Sequence, residues 1–246
     1  ISKFKNYKLA LEEGVKHIRR SIDLVHLNTA FPAGLFALDL KRKKGIPYIL
    51  LSHWTGYLSS TNGYINSSYF IRRLHQSIFS HAEKVLTVSA HLGESLKSLG
   101  LVTDYTVYPN VVDGELFYPN SRHDDSDILR ILHVSSCDDA HKNISGMLEA
   151  IAGISKPFHF DIITESSNEH VEAILRNSGV DKTNVSIVSQ ATPAQIGEAF
   201  RENDVFVLFS NYETFSVVLA ESWMSGVPAI YSKCGGLTEI KDADIG

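Results

Sequence analysis

Short, nearly continuous apolar runs alternate with segments whose apolar residues recur every three to four positions, almost from end to end of the chain. The first pattern predicts strands and the second amphipathic helices. In the first half a helix is predicted over Phe4–Arg20, with Leu9, Leu11, Val15 and Ile18 on one side. Strands at Asp23–Asn28, Pro47–Ser52, Lys84–Ser89 and Tyr105–Tyr108 then alternate with helices at Gly34–Lys44, Ser68–His81 and His91–Leu99. In the second half, strands are predicted at Arg130–Ser135, Phe158–Thr164, Asn184–Ser189, Val205–Ser210 and Pro228–Tyr231. Helices are predicted between them at Ile144–Ile154, Glu169–Asn177, Pro193–Glu202 and Phe215–Ser225. Runs such as Val205–Phe209, apolar throughout, mark strands covered on both faces, as in parallel sheets. The expectation is an α/β chain with two Rossmann-like, doubly wound parallel sheets.

The alternation breaks over Pro109–Asp127, which holds Pro109, Gly114, Pro119 and the polar run Asn120–Asp127. Such punctuation predicts a linker and divides the chain into domains of residues 1–118 and 119–246. Charge sharpens the division. Residues 1–118 carry 14 Lys and Arg against 9 Asp and Glu, and residues 119–246 carry 9 against 19. The halves are therefore +5 and −10 within a net −5, which suggests two units with different partners. A net negative chain argues against a nucleic-acid partner.

Composition narrows the class further. At 246 residues, 43% hydrophobic and 21% charged, the chain reads as globular rather than disordered or collagen-like. Val205–Phe209 is far below the ~20 apolar residues that span a bilayer, and Ile1–Arg20 has no signal-peptide pattern. Two distant cysteines, Cys137 and Cys234, suit a reducing, cytoplasmic setting. No G-x-G-x-x-G follows a strand, which argues against a dinucleotide dehydrogenase, and no G-x-x-x-x-G-K-[ST] occurs, which excludes a P-loop enzyme. No His/Cys spacing suits zinc, and Asp242-Ala-Asp244 reads as solvated rather than as a metal motif.

Ligands of open parallel sheets bind at the carboxyl ends of the strands, so the residues after each strand are the candidates. After Val205–Ser210 come Glu213, Thr214, Phe215, Ser216 and Val217, then a helix carrying Glu221. A helix N-terminus there offers unpaired N–H groups to phosphate. Eight residues at ~1.5 Å rise place the two carboxylates about 12 Å apart, a span that fits a ligand with hydroxyls at both ends and phosphates between. From spacing alone an acidic helix face, with Glu213 favourably near the helix dipole, is the better explanation. Lys142, after Arg130–Ser135, could neutralise a diphosphate or be an ordinary surface lysine. Gly235-Gly236 could allow close approach of a ligand or form a plain turn. His53 and His26 end strands in the first half, where a histidine could meet phosphate; with 11 histidines in the chain, a structural role is the commoner one.

Taken in order, these pieces resemble one family. Glu213-Thr-Phe-Ser-Val-Val-Leu-Ala-Glu221-Ser-Trp-Met-Ser-Gly226-Val-Pro228 is similar to the E-x7-E signature of family 4 (group 1) retaining glycosyltransferases, which have the GT-B fold. Gly235-Gly236-Leu-Thr-Glu239 continues the match. Tyr108-Pro-Asn110-Val-Val-Asp113 through Phe117-Tyr-Pro119 resembles the family's hinge segment, and Ile46-Pro47 leading to His53 resembles its first domain. The resemblance implies two domains facing a cleft, the first on the acceptor side and the second holding a nucleotide-sugar donor. It implies that Glu213 contacts the donor sugar, that the amides of Thr214, Phe215, Ser216 and Val217 hold sugar and diphosphate, and that Glu221 accepts from ribose hydroxyls. Lys142 would balance the diphosphate, Thr164, Ser189 and Gln190 would edge the nucleobase pocket, and His53 would lie near the reacting centre with His26 on the acceptor side. Transfer would retain configuration, without metal or cofactor, to a glycan or lipid-linked glycan.

The chain departs from the pattern in three places. Ser135-Ser136 stands where an earlier Gly and Arg are usual, and Val111 stands at the hinge glycine. The family's first strand and its final strands lie outside the sequence, so both domains are expected to be incomplete. A nucleotide-sugar 2-epimerase, a phosphorylase and a non-catalytic nucleotide-sugar binding protein are the alternatives. Lys41-Arg-Lys-Lys44 would offer weak peripheral contact with anionic lipid at the inner face of a membrane.

Overall fold

The computed structural model describes residues 2–18, 20–119 and 127–241, with side chains from residue 6 onward. The Asn120–Asp127 run, apart from its last residue, and the pair Asp242 and Asp244 lie outside the described residues. The chain forms two compact units, one of Ile1–Pro109 with Thr238–Gly246 and one of Asn110–Leu237.

In the first unit the described residues form a parallel sheet of β1 (Val25–Leu27), β2 (Tyr48–Ser52), β3 (Lys84–Thr87) and β4 (Thr106–Val107), in that spatial order. Helices α1 (Ser2–Lys16), α2 (Ala33–Lys44), α3 (Tyr69–His81) and α4 (Ala90–Ser98) alternate with the strands. The helix starts follow from side chains: Ser68 accepts from Ile71 N at 3.4 Å and Ser89 from Leu92 N at 3.2 Å, satisfying amides that have no intrahelical partner. Tyr48, Leu50, Ile78, Leu92 and Leu96 are fully buried. His75 lies among Phe31, Trp54, Tyr57 and Tyr64, with the Tyr57 hydroxyl 2.7 Å from its Nδ1. Burial pushes the His75 pKa down to about 4.

In the second unit the sheet order is β7 (Val185–Ser189), β6 (Phe158–Thr164), β5 (Leu129–Ser135), β8 (Val205–Leu208), β9 (Ala229–Tyr231), all parallel. The connections run through α5 (Asp139–Lys142), α6 (Ile144–Ala152), α7 (Asn168–Leu175), α8 (Pro193–Glu202) and α9 (Val217–Met224). The order reverses at β5, from which the chain runs outward to β6 and β7 on one side and to β8 and β9 on the other. Such a switch point opens a crevice at the strands' carboxyl ends. Ile131, Phe160 and Ile162 pack against Met147, Leu148, Val171 and Leu175 to form the core on one side of the sheet. His133 is buried in β5, its Nδ1 2.8 Å from the Val207 carbonyl and its Nε2 2.7 Å from Ser135 Oγ.

Two expectations change. The unit boundary falls at Pro109/Asn110, not at 118/119. Phe117 is buried with its ring 6.2 Å from that of Phe200, and Leu116 O accepts from Arg201 at 3.0 Å. Gly197 allows this approach, because a Cβ there would run into Leu116 O. The short helix α5 is an addition, since the sequence places no helix before Ile144. In the Lys41–Lys44 run three side chains have partners within the unit, while Arg42, Lys43 and Lys44 stay exposed. Lys41 pairs with Glu83 at 2.6 Å, Arg42 donates to Ser77 at 3.3 Å and Lys43 pairs with Asp39 at 3.2 Å. Among the described residues no helix is long and apolar enough to cross a membrane.

Candidate functional site

The strand ends of the second unit supply the site. After β8 the chain turns through Ser210–Ser216 into α9. After β5 it turns through Ser136–Asp138 into the single turn of α5, which ends at Lys142. These loops meet. Lys142 Nζ donates to Glu213 Oε1 in a close ion pair, both side chains largely buried. Ser210 Oγ donates to the same oxygen at 2.8 Å. His141 Nε2 sits 3.8 Å from that oxygen and 2.9 Å from the Tyr212 carbonyl. Burial, with Lys142 beside it, holds the His141 pKa below its usual value.

Glu213 is fixed from behind as well. Gly236 N donates to Glu213 O at 2.9 Å, and Gly235 has φ +51 with no room for a Cβ against that carbonyl. The Gly pair therefore buttresses the Glu213 loop. Ser216, at φ +67, accepts from Leu219 N and starts α9. Among the described non-glycine residues, positive φ occurs in this unit at Cys137 and Gln190 just after β5 and β7, at Asn143 between α5 and α6, and at Ser216 where α9 begins, and in the first unit at Asn62. Val111 is not among them. Such conformations cost of order 1 kcal/mol each and concentrate where a ligand must be met.

A crevice of about 350 Å³ opens beside the pair. Of the sequence-predicted residues, Lys142, Thr164, Gln190, Ser216 and Glu221 line it. Glu221 is half-buried on α9, and burial alone raises its carboxyl pKa. Thr164 is buried at the end of β6, and Gln190 N donates to its carbonyl at 2.8 Å. Glu213 and Thr214 are buried beside the crevice; Phe215 is half-buried and Val217 exposed. Ser189 ends the edge strand β7, exposed and outside the crevice lining. His53 and His26 belong to the first unit. His53 is half-buried after β2, its pKa lowered by burial and by neighbouring His26, which is exposed on β1. Larger hollows, about 490 Å³ at the amino ends of β3 and β4 and about 600 Å³ between α6 and α7, lack such converging groups. Among the described residues no three His, Cys, Asp or Glu side chains gather as a metal group.

Sequence comparison decides the family. Residues 3–116 match the family described as Glycosyltransferase Family 4, and residues 129–245 match that described as Glycosyl transferases group 1. The chain belongs to the family 4, group 1 glycosyltransferases. An uncharacterised glycosyltransferase of Methanocaldococcus jannaschii is 26% identical over 224 residues, covering 89% of this chain and 58% of its own length. The MMP alpha-(1->4)-mannosyltransferase of Mycolicibacterium hassiacum is 22% identical, covering 98% of this chain and 60% of its own. A sucrose-phosphate synthase structure from Thermosynechococcus elongatus superposes with TM-score 0.79 at 19% identity, over 97% of this chain and 62% of that one. The fold is thus GT-B, and the chain spans roughly three fifths of these relatives' length.

In this chain, serines stand at the positions where the family usually has Gly and Arg. Ser135 Oγ accepts from Cys137 N at 3.0 Å and meets His133, while Ser136 lines the crevice. Ser210, His141 and Tyr212 were not singled out from the sequence. His141 and Tyr212 adjoin Lys142 and Glu213 in the sequence, and Ser210 lies three residues before Glu213.

Proposed function

We propose that the protein transfers a glycosyl unit from a nucleoside-diphosphate sugar to a glycan or lipid-linked glycan acceptor. Configuration is retained and no metal is needed. The observation that carries this reading is the Lys142–Glu213 pair at the rim of a crevice that also holds Glu221. A buried lysine already paired to a carboxylate can exchange that partner for a diphosphate. The freed Glu213 carboxylate then accepts from sugar hydroxyls, and Glu221, raised by burial alone, gains from a ribose hydroxyl donor. The amides of residues 214–217 complete the cradle at the start of α9. By the family resemblance His53 acts near the reacting centre and His26 on the acceptor side.

One relative is named a GDP-mannose-dependent alpha-mannosyltransferase, from Mycobacterium tuberculosis, at 27% identity over 87% of this chain. GDP-hexoses therefore head the donor panel, with UDP-, ADP- and CDP-sugars beside them. In the full-length enzyme, Lys142→Ala and Glu213→Ala each lower kcat/KM roughly 100-fold or more. EDTA leaves the rate unchanged, and NMR of the product shows the donor's anomeric configuration. Near wild-type rates in both variants overturn the roles. Epimerised donor without acceptor favours the epimerase alternative.

A further inference from the structure

The two loops of the site are joined by more than the Lys142–Glu213 pair. Asn211 Nδ2 donates to Ala140 O at 3.1 Å and Asn211 N donates to His141 O at 2.8 Å. His141 Nε2 donates to Tyr212 O at 2.9 Å, and Lys142 reaches Glu213. The His141 and Tyr212 rings stack 4.3 Å apart and 5° from parallel. Residues 140–142 are thus laced in register to residues 211–213. A four-residue turn such as α5 has no helical stability of its own, and a lysine stem is flexible. Something outside α5 must hold Lys142 at the height of Glu213.

We propose that His141 and Tyr212 are positioning residues: their stack, with the His141-to-Tyr212 backbone bond, clamps α5 to the Ser210–Glu213 loop and so sets Lys142. The clamp holds both backbones while Lys142 exchanges Glu213 for an anion. Free and liganded sites then share one frame, and little ordering is left to be done on binding. The ligand side of this inference rests on the donor reading above; the positioning of Lys142 does not.

The test uses the full-length protein with Tyr212→Ala, Tyr212→Phe, His141→Phe and Lys142→Ala. Acetylation of Lys142 by N-hydroxysuccinimidyl acetate is followed by mass spectrometry, with exposed Lys182 as internal reference. Tyr212→Ala raises Lys142 labelling about tenfold relative to Lys182, and Tyr212→Phe, which keeps the stack, leaves it unchanged. His141→Phe keeps two stacked rings but loses the donor, and gives an intermediate rise. It decides the matter if Tyr212→Ala fails to fold. Wild-type labelling of Lys142 in both Tyr212→Ala and His141→Phe, or an equal rise in Tyr212→Phe and Tyr212→Ala, overturns the clamp.

The second arm is calorimetry with GDP, UDP, ADP and CDP. Tyr212→Ala weakens binding of the preferred nucleotide about tenfold, yet adds nothing in a Lys142→Ala background, because the clamp acts through Lys142. Additive loss in the double variant overturns that route. Expected labelling with no nucleotide bound by the wild type upholds the clamp and overturns the donor reading.

Discussion

Glu221 shows at the residue scale what a half-buried carboxyl in the proposed donor crevice costs in stability. Its carboxyl pKa is raised by burial alone, so the folded state holds that proton more tightly than the unfolded chain. Folding is therefore opposed above the ordinary carboxylate pKa, and the cost vanishes as pH falls below it. Glu221→Gln is expected to raise the urea midpoint at pH 7 and to leave it unchanged near pH 4. The same variant weakens nucleotide binding, about tenfold for a lost charged hydrogen bond. A lower midpoint for Glu221→Gln at pH 7 would reject the argument. What singles out Glu213 and Glu221 in the sequence is the resemblance to the family's E-x7-E motif, not their spacing alone. Ser210, His141 and Tyr212 were not legible there, because what marks them is contact with partners, two of them across 71 residues of chain.

At the scale of elements, strands and helices were readable almost throughout, since each announces itself by local period. Phe158–Thr164 and Pro193–Glu202 keep their expected bounds, and α8 also carries the capping box of Thr192 with Gln195. The segment after Pro109 was the exception. Its prolines and glycine read as a linker, yet Phe117 packs on Phe200, and Phe200 on Phe206 at 5.5 Å. The Tyr118 ring lies 4.4 Å from the Arg201 guanidinium. Apolar Leu116 and Phe117 were the available sign, outweighed by the punctuation around them. Phe117→Ala removes a buried ring and should cost about 3 kcal/mol or more, read as a lower urea midpoint for the second unit. A change below ~1 kcal/mol would mean that this segment does not share that unit's core.

For the whole molecule, acid sensitivity follows from two buried histidines, one in each unit. Burial lowers both His75 and His133 to about 4, against about 6.5 unfolded. Between these values the unfolded chain binds more protons, so stability is full above about pH 6.5 and is lost as pH falls toward 4. Urea midpoints measured from pH 7 to pH 4.5 should fall steadily, and His133→Asn should flatten the slope. A midpoint independent of pH over that range would show that neither ring is held neutral. The charge asymmetry acts at the same scale. Under the proposed function the half that binds an anionic donor is the one carrying −10, and recognition would then fall to Lys142 and to amides at short range, where net charge matters less than contact.

The sequence by itself determined the α/β class, the two parallel sheets and the family, and it named five of the residues that line the crevice, Lys142, Thr164, Gln190, Ser216 and Glu221. These are written in local period and in contiguous motifs, which need no knowledge of what lies across the chain. Only the tertiary structure decided that Lys142 and Glu213 are partners, that His141 stacks on Tyr212, that Gly235 and Gly236 buttress the Glu213 loop, and that residues 110–119 join the second unit. Each of these is a contact between distant segments. Its energy appears only when the folded strands bring their ends together and exclude water from between them.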